Sequence, residues 1–317
     1  RNILSAPLDA AGEFVWLLGD DDLIAPQAFK TIFKQLEEHP DVDGHIAAHA
    51  IMYEDRREES ESMILSGEMP VTKLCLIREG VSETRLNRFE EVFALSDVTA
   101  TLNFLSNVIF RQKCWADNAR PYLEHCEKRE WWSDTISTAG YMCVWADFLV
   151  GKPVGLMASP LVVGFVGQQV ILSKWDTLST VFFLDVSKWF LKNGADPDCM
   201  QIYKRKIYSN GAVIARLATS AEPYTIEHFS LRHLIREYGG DPVLWRSLDA
   251  AVRSISGRTA RLALIRRIIL SSSSCPSRWI LGIKFALKQG RQAVRNRLVA
   301  FRREKPLGYL ESRARMN

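Results

Sequence analysis

The stretch FVWLLGDDD, from Phe14 to Asp22, decides the fold. Five apolar residues in a row, without polar alternation, are typical of a strand buried on both faces, as in a parallel sheet. Pro26 suits the first turn of a helix, and residues 29–36 carry apolar side chains at helical spacing, which predicts an amphipathic helix. A strand, a group of acids and a helix in this order predict an α/β fold.

Further elements follow the same patterns. Strands are predicted at residues 44–53, 103–111 and 154–163, and a helix at 136–149. From Trp175 onward the apolar spacing is mostly helical. The chain therefore divides into an α/β part and a helical C-terminal part.

The basic residues concentrate near the C-terminus. Residues 258–305 contain 13 Lys and Arg and a single acid, Glu304, in a chain whose formal net charge is only +4. An apolar face is predicted along this segment, made of Ile280, Ile283, Leu287, Val294, Leu298 and Phe301. A basic amphipathic helix suits the interface of an anionic membrane. A solvated helix face packed on the protein is the alternative, and arginine stripes also meet the phosphates of nucleic acids.

The cysteine pattern and the hydropathy indicate in which cellular compartment the protein works. Six cysteines form no C-x-x-C pair and have no histidine cluster nearby, so neither a zinc site nor a disulfide framework is expected. No apolar run reaches the roughly 18 residues that span a bilayer, and no signal peptide is visible. We therefore expect a cytoplasmic protein, attached peripherally to the inner face of the membrane.

Three adjacent carboxylates, Asp20, Asp21 and Asp22, follow the first strand. Ligands of open α/β sheets bind at the carboxyl ends of strands, and adjacent carboxylates repel each other unless a cation or a proton intervenes. Hard oxygen ligands suit Mg²⁺ or Mn²⁺. The alternative is a solvated turn in which one aspartate caps the next helix.

Several segments together resemble a known family. They are residues 1–2 (RN), 11–22 (AGEFVWLLGDDD), 105–111 (LSNVIFR), 151–153 (GKP) and 159–162 (SPLV). They resemble family 2 glycosyltransferases with the GT-A fold, most closely the abequosyltransferase-like branch linked to O-antigen and other surface polysaccharides. The resemblance implies an α/β fold with a GT-A-like mixed sheet and flanking helices, followed by a mostly helical C-terminal region.

The resemblance also implies an activity and its partners. It implies transfer of a sugar from a sugar nucleotide to a polyprenyl-linked saccharide, with Mg²⁺ or Mn²⁺ held by Asp21 and Asp22. Gly19 stands where the family has the first acid of its metal motif, so Asp20 is the candidate to supply that contact to the cofactor. Residues 1–175 would be the C-terminal part of the catalytic domain, without its N-terminal nucleotide-binding strands, and residues 176–317 the helical region with its basic tail.

Inverting transfer needs a carboxylate that takes the proton of the acceptor hydroxyl. By position, the resemblance assigns this role to Glu130 or Asp134, and Trp131 or Trp132 could stack on a sugar ring. The alternative is a helix N-terminus capped by Asp134 or Ser133 with both tryptophans in the core.

Ser106 and Asn107 are the remaining candidates by resemblance, as contacts to the acceptor. A satisfied polar pair at a strand end is the alternative for them. Two rival functions stay open at this point: a nucleotidyltransferase of similar layout, and a non-catalytic membrane-binding or nucleic-acid-binding protein that uses the tail alone. No nucleic-acid-binding module is visible, so we expect no nucleic-acid partner.

Overall fold

The computed structural model of the chain describes residues 2–19, 22–53, 57–68, 82, 84–95, 105–166, 172–272, 281–282 and 284–292. The chain forms two units: the first contains Arg1–Asn210 and Pro223–His228, and the second contains Gly211–Glu222 and Phe229–Asn317. Residues 176–210, which the sequence-based division places in the C-terminal region, thus belong to the first unit. The functional assignment of the two parts stays a prediction.

The first unit is built on a mixed sheet, as the α/β prediction requires. The described strands follow the order β1-β5-β3-β6-β2, with β4 also paired to β6. Strands β3 and β6 are parallel, and the other pairs are antiparallel. The strands are β1 (Phe14–Trp16), β2 (Leu23–Ile24), β3 (Gly44–Tyr53), β4 (Thr84–Leu86), β5 (Val108–Arg111) and β6 (Val154–Val166).

The described part of the first unit also contains ten α-helices. Three short 3-10 helices, at Ala6–Asp9, Phe89–Glu91 and Leu105–Asn107, and a π-helical turn at Leu178–Phe182 accompany them. The α-helices are α1 (Asn2–Ser5), α2 (Ala28–Glu38), α3 (Arg57–Leu65), α4 (Val92–Leu95), α5 (Gln112–Glu127), α6 (Thr135–Leu149), α7 (Leu172–Thr177), α8 (Phe183–Lys192), α9 (Pro197–Tyr208) and α11 (Pro223–His228).

The first strand differs from its prediction. We predicted a strand buried on both faces of a parallel sheet, but β1 pairs antiparallel with β5, and its three residues are only half-buried. The physical reason is its place at one end of the described strand order. A contiguous apolar run identifies a strand without revealing the direction of its neighbour.

The predicted helix at residues 29–36 is confirmed as α2, and the one at 136–149 as α6. The apolar stripe of α2 is only partly buried, however. Ile32 lies in the core, whereas Phe29 and Phe33 are 54% and 60% exposed. Phe29 packs edge-on against Trp16 of β1 with ring centroids 5.9 Å apart, so helical spacing predicted the helix correctly but not which of its aromatic residues lie in the core.

The core centres on the parallel pair β3 and β6. Small residues allow the two strands to approach closely around two fully buried histidines of β3, His45 and His49. Gly155 of β6 lies opposite His45, and a Cβ atom on Gly155 would lie 2.2 Å from the Nδ1 atom of His45. Glycine is therefore required at this position because the imidazole fills the space of a side chain.

The second unit is helical throughout its described residues. It contains α10 (Gly211–Thr219), α12 (Leu231–Tyr238), α13 (Pro242–Ser254), α14 (Arg258–Ser272) and the helical residues 284–292. Asp241 caps α13, and Pro242 occupies its first turn, the position where a missing N–H costs nothing. Residues 284–292 are held by Lys288, whose Nζ lies 2.8 Å from the buried carboxylate of Asp249. Of the predicted apolar face of the tail, only Leu287 lies within the described residues, and it is exposed.

We predict that Gly155→Ala destabilises the first unit by about 1–3 kcal/mol, because the new methyl group overlaps the His45 ring in a packed core. Urea denaturation measures the change in unfolding free energy. The same substitution in a His45→Ala background should cost less than half as much, since the overlapping ring is gone. Gly290→Ala is the control, because a Cβ there meets nothing within 4 Å. Equal losses in both backgrounds would contradict this account.

Candidate functional site

The acidic turn begins where β1 ends. The backbone N–H of Asp22 donates to the carbonyl of Gly19 at 3.3 Å, and the N–H of Gly19 donates back to the Oδ2 atom of Asp22 at 3.2 Å. Asp22 therefore closes a tight turn with its own side chain, as aspartates in turns commonly do. Asp20 and Asp21, the two residues between, lie outside the described residues.

Ser106 holds this turn from another part of the chain. The antiparallel register pairs Trp16 with Ile109, so residues just before β5 lie beside residues just after β1. The hydroxyl of Ser106 donates to Oδ2 of Asp22, and the carbonyl of Ser106 accepts a hydrogen bond from Trp16 Nε1 at 2.8 Å. Two segments that carry the resemblance, 84 residues apart, thus meet at one edge of the sheet.

Asn107 points into the core instead. Its amide nitrogen lies 2.5 Å from Nδ1 of His49, so the amide donates and this ring nitrogen accepts. Ser106 and Asn107 are both almost fully buried, and each makes a hydrogen bond within the protein, which fits the alternative of a structural polar pair at a strand end. Their contact with an acceptor stays a prediction.

Burial keeps both core histidines neutral. Loss of solvation lowers the pKa of His49 to about 3 and that of His45 to about 4, and the charges of His39 and Arg111 add to the effect at His45. Within the described residues, neither ring nitrogen of His45 has a hydrogen-bond partner. A buried ring whose nitrogens make no hydrogen bonds lowers the stability of the folded state.

Asp134 acts as a helix cap. It precedes α6, its Oδ1 accepts the backbone N–H of Ser137 at 2.8 Å, and the Ser137 hydroxyl accepts the N–H of Asp134, which completes a capping box. Its Oδ2 lies 2.8 Å from Nε2 of His125. Burial alone would raise the pKa of Asp134, but the hydrogen bonds from Ser137 and His125 outweigh it and lower that pKa. The capping alternative is what the structure shows, and a catalytic role for Asp134 stays a prediction.

The tryptophan pair does not lie in the core, so this half of the alternative is wrong. Trp131 is 64% exposed, and its ring stacks on that of Trp132 with centroids 5.4 Å apart and planes 3° from parallel. Glu130, beside the pair, has an exposed side chain, while its backbone carbonyl accepts hydrogen bonds from the N–H and hydroxyl of Ser133. The pair therefore presents an open aromatic face next to an exposed carboxylate.

Sequence reasoning missed the residues that support this pair. Lys174 and Tyr224 lie under Trp132, and His125 holds Asp134. They come from three separate helices, and Tyr224 is 92 residues from Trp132. Within the sequence, no local pattern links them to the tryptophans.

A metal site at the end of β1 stays a prediction. Carboxylate and hydroxyl oxygens at the end of β1 suit a hard divalent cation in donor chemistry. Among the described residues, no three His, Cys, Asp or Glu side chains gather closely enough to hold a metal. A site at this edge would therefore depend on Asp20 and Asp21 in addition to Asp22.

Comparisons with known proteins leave the family open. No protein-family model matches the chain, and a search of curated proteins finds no significant match. Of the helices in the described ranges, none is both long and apolar enough to cross a membrane.

We predict that the first unit loses stability below pH 6.5 because the unfolded chain binds protons at His45 and His49 that the folded core excludes. The ordinary histidine pKa is 6.5, and the values in the folded protein are about 4 for His45 and about 3 for His49. The stability of the folded unit that depends on these neutral histidines is therefore fully present above pH 6.5 and is lost as the pH falls towards the folded values. Each histidine adds a slope of about 1.4 kcal/mol per pH unit in that window.

Urea denaturation across this window measures the slope. His45→Leu should remove one histidine's share, whereas His233→Gln, at an exposed position of α12, should leave the slope unchanged. If the slope of His45→Leu equals that of the unmodified chain, the histidine explanation is wrong.

Proposed function

We propose that this chain is the catalytic part of a glycosyltransferase with a GT-A-like fold. It would move a sugar from a sugar nucleotide to a polyprenyl-linked saccharide in the synthesis of surface polysaccharide such as O-antigen. The observation that carries the proposal is the hydrogen bond from Ser106 to Asp22, because it joins the acidic motif and the LSNVIFR segment at one sheet edge. Both segments belong to the resemblance, and sheet edges of this kind bind ligands.

The residues of the edge divide their work in this proposal. Asp22 and Ser106 fix the turn, and Asp21 and Asp22 supply carboxylates for Mg²⁺ or Mn²⁺, with Asp20 as a further contact. When bound, such a cation neutralises charge on the diphosphate of the leaving group. Trp16 donates to Ser106 at 2.8 Å, which ties the turn to the strand and limits its movement.

Between the two candidate bases, the contacts favour Glu130. A general base needs an accessible carboxylate that can reach the acceptor hydroxyl. Both oxygens of Asp134 are engaged, one with Ser137 and one with His125, and this environment lowers its pKa. Glu130 has an exposed side chain next to Trp131, so we assign proton abstraction to Glu130 and the orientation of α6 to Asp134.

Exposed residues of α14 in the second unit support the proposal that the protein binds a membrane surface. Along α14, Leu264, Ile268 and Ser272 are buried at four-residue spacing. The opposite row carries Arg258, Leu262, Arg266 and Leu270, all exposed. Arginines attract anionic lipid while leucines insert at the boundary between headgroups and acyl chains. This row suits an enzyme whose acceptor is anchored in a membrane.

We predict that the protein binds Mn²⁺ and that the paired substitution Asp20→Asn, Asp21→Asn abolishes binding, because two carboxylate ligands become neutral. Ser106→Ala should weaken binding about tenfold, the usual effect of losing a group that orients a ligand from outside the coordination sphere. Calorimetric titration measures the affinity. Asp117→Asn is the control, at an exposed aspartate that pairs with Lys113 at 3.2 Å. Absence of Mn²⁺ and Mg²⁺ uptake by the unmodified protein would overturn the metal assignment.

The matching activity assay combines a labelled sugar nucleotide with a polyprenyl-linked saccharide. Release of nucleoside diphosphate supports glycosyl transfer, whereas release of pyrophosphate supports the nucleotidyltransferase. Glu130→Gln should lower turnover at least about a hundredfold. Asp134→Ala should mainly reduce stability, by about 1 kcal/mol through the lost cap. The reverse pattern would show that Asp134 is the base.

For the membrane contact, we predict that the protein sediments with liposomes containing anionic lipid and that Leu262→Ser with Leu270→Ser lowers the partition coefficient at least about tenfold. Leu65→Ser, at an exposed leucine of α3, is the control and should have no effect. Binding to duplex DNA that needs the arginines but not the leucines would favour the nucleic-acid alternative. Sedimentation insensitive to the leucine pair would contradict a role for this row.

A further inference from the structure

A column of side chains in contact, mostly aromatic, runs from solvent into the core of the first unit. It starts at Trp131, which stacks on Trp132. The ammonium group of Lys174 lies 5.0 Å from the Trp132 ring and 4.7 Å from the Tyr224 ring. The ring centroid of Tyr224 lies 4.4 Å from that of His228, which in turn lies 5.6 Å from the ring centroid of Phe182.

One end of the column is exposed to solvent and the other is buried in the core. Trp131 is 64% exposed, whereas Phe182 is buried among core residues at 4%. A lone exposed indole normally samples several rotamers. Here the second ring beneath Trp131 restricts those rotamers, so its outer face has a fixed position.

The backbone beneath the pair is also fixed. Trp132 has a φ of +63°, in the left-handed region, a conformation that costs a bulky residue of order 1–3 kcal/mol and persists only where its surroundings impose it. The hydroxyl of Tyr224 donates to the carbonyl of Trp132 at 2.8 Å and holds the peptide in this orientation. Lys174 adds a cation–π contact to the rings of Trp132 and Tyr224, which ties the turn before α6 to α7 and α11.

The column has more support than an ordinary surface tryptophan requires. The two residues that precede Trp131, Arg129 and Glu130, have charged and exposed side chains. One indole offers far less area than the roughly 800 Å² per partner that a stable protein interface buries. A flat aromatic face with polar groups at its rim suits a small ligand that has an apolar face and hydroxyls around its edge.

We propose that the exposed face of Trp131 is a stacking platform for a pyranose ring of the saccharide acceptor. The C–H groups on one face of the sugar would lie against the negative face of the indole, and Arg129 and Glu130 would meet the ring hydroxyls. Trp131 is then the binding residue, and Trp132, Lys174 and Tyr224 are positioning residues. This inference rests on the proposed function and names the subsite that would hold the acceptor beside Glu130.

The test labels the protein with 5-fluorotryptophan and follows the Trp131 resonance by ¹⁹F NMR, assigned by its absence in Trp131→Phe. The probes are trisaccharides of neutral hexose, of N-acetylhexosamine and of deoxyhexose, added without metal or nucleotide. At least one probe should shift the Trp131 resonance saturably, with a dissociation constant at or below about 10 mM. If all three leave it unmoved to about 50 mM, beyond useful affinity, the platform assignment is wrong.

Substitutions then separate binding from positioning, with affinity followed by a relaxation experiment on the saccharide. Trp131→Ala should weaken binding at least about tenfold, and Trp131→Phe about threefold, since a smaller ring keeps part of the stacking. Phe33→Ala, at an equally exposed ring of α2, should have no effect. Equal affinities of Trp131→Ala and Phe33→Ala would overturn the proposal.

Tyr224→Phe tests the positioning role, because it removes only the hydroxyl that holds the Trp132 carbonyl. We expect about a threefold loss of affinity while the first unit stays folded, with a melting temperature lowered by only a few degrees. Lys174→Met should act the same way, and Lys174→Arg should retain binding. Unchanged affinity in both Tyr224→Phe and Lys174→Met would show that the column is structural only. Saccharide binding is measured without metal, so failure here leaves the Mn²⁺ result standing, and failure of Mn²⁺ binding leaves the platform standing.

Discussion

The antiparallel pairing of β1 with β5 is the constraint on which the candidate site depends. Because Trp16 lies opposite Ile109, the residues that leave β1 and those that enter β5 share one edge. A shift of one residue in this register would move every side chain of β1 to the other face. The hydrogen bond from the Trp16 indole to the Ser106 carbonyl opposes such a shift, so the same tryptophan contributes to both the strand and the turn.

The interior of the sheet shows a second constraint of the same kind. A buried polar ring is costly unless it is satisfied, and β3 contains two of them. His49 is bonded to Asn107, which directly precedes β5, whereas His45 occupies the space left by Gly155 in β6. One histidine thus fixes β3 against β5, and the other requires a glycine in β6. This arrangement specifies how three strands align, in exchange for reduced tolerance of acid.

Sequence patterns predicted what depends on neighbours in the chain and failed where distant contacts decide. The spacing of residues 29–36 gave α2, but only the tertiary packing shows that Phe29 and Phe33 stay exposed while Ile32 is buried. The run at Phe14–Leu18 gave a strand, but its antiparallel partner lies about ninety residues further on. The support of Trp132 by Tyr224 is a contact of the same range, and no local periodicity encodes it.

Two of the three described acidic candidates, Asp22 and Asp134, show that a residue type suited to catalysis can serve a structural role. Asp22 was a candidate because it follows a strand, and Asp134 because the resemblance assigns the base to its position. A strand end and a helix start are also the places where a carboxylate best satisfies backbone N–H groups. The structure shows this second use in both: Asp22 closes a turn onto Gly19, and Asp134 caps α6. A carboxylate that holds its own backbone is poorly placed to move far during a reaction. Such a carboxylate contributes to a site by fixing the positions of the neighbouring residues. By this reasoning, the proposed chemistry should be sought at two places. One is Asp20 and Asp21, beside the turn that Asp22 closes, and the other is Glu130 with Trp131, beside the helix cap formed by Asp134.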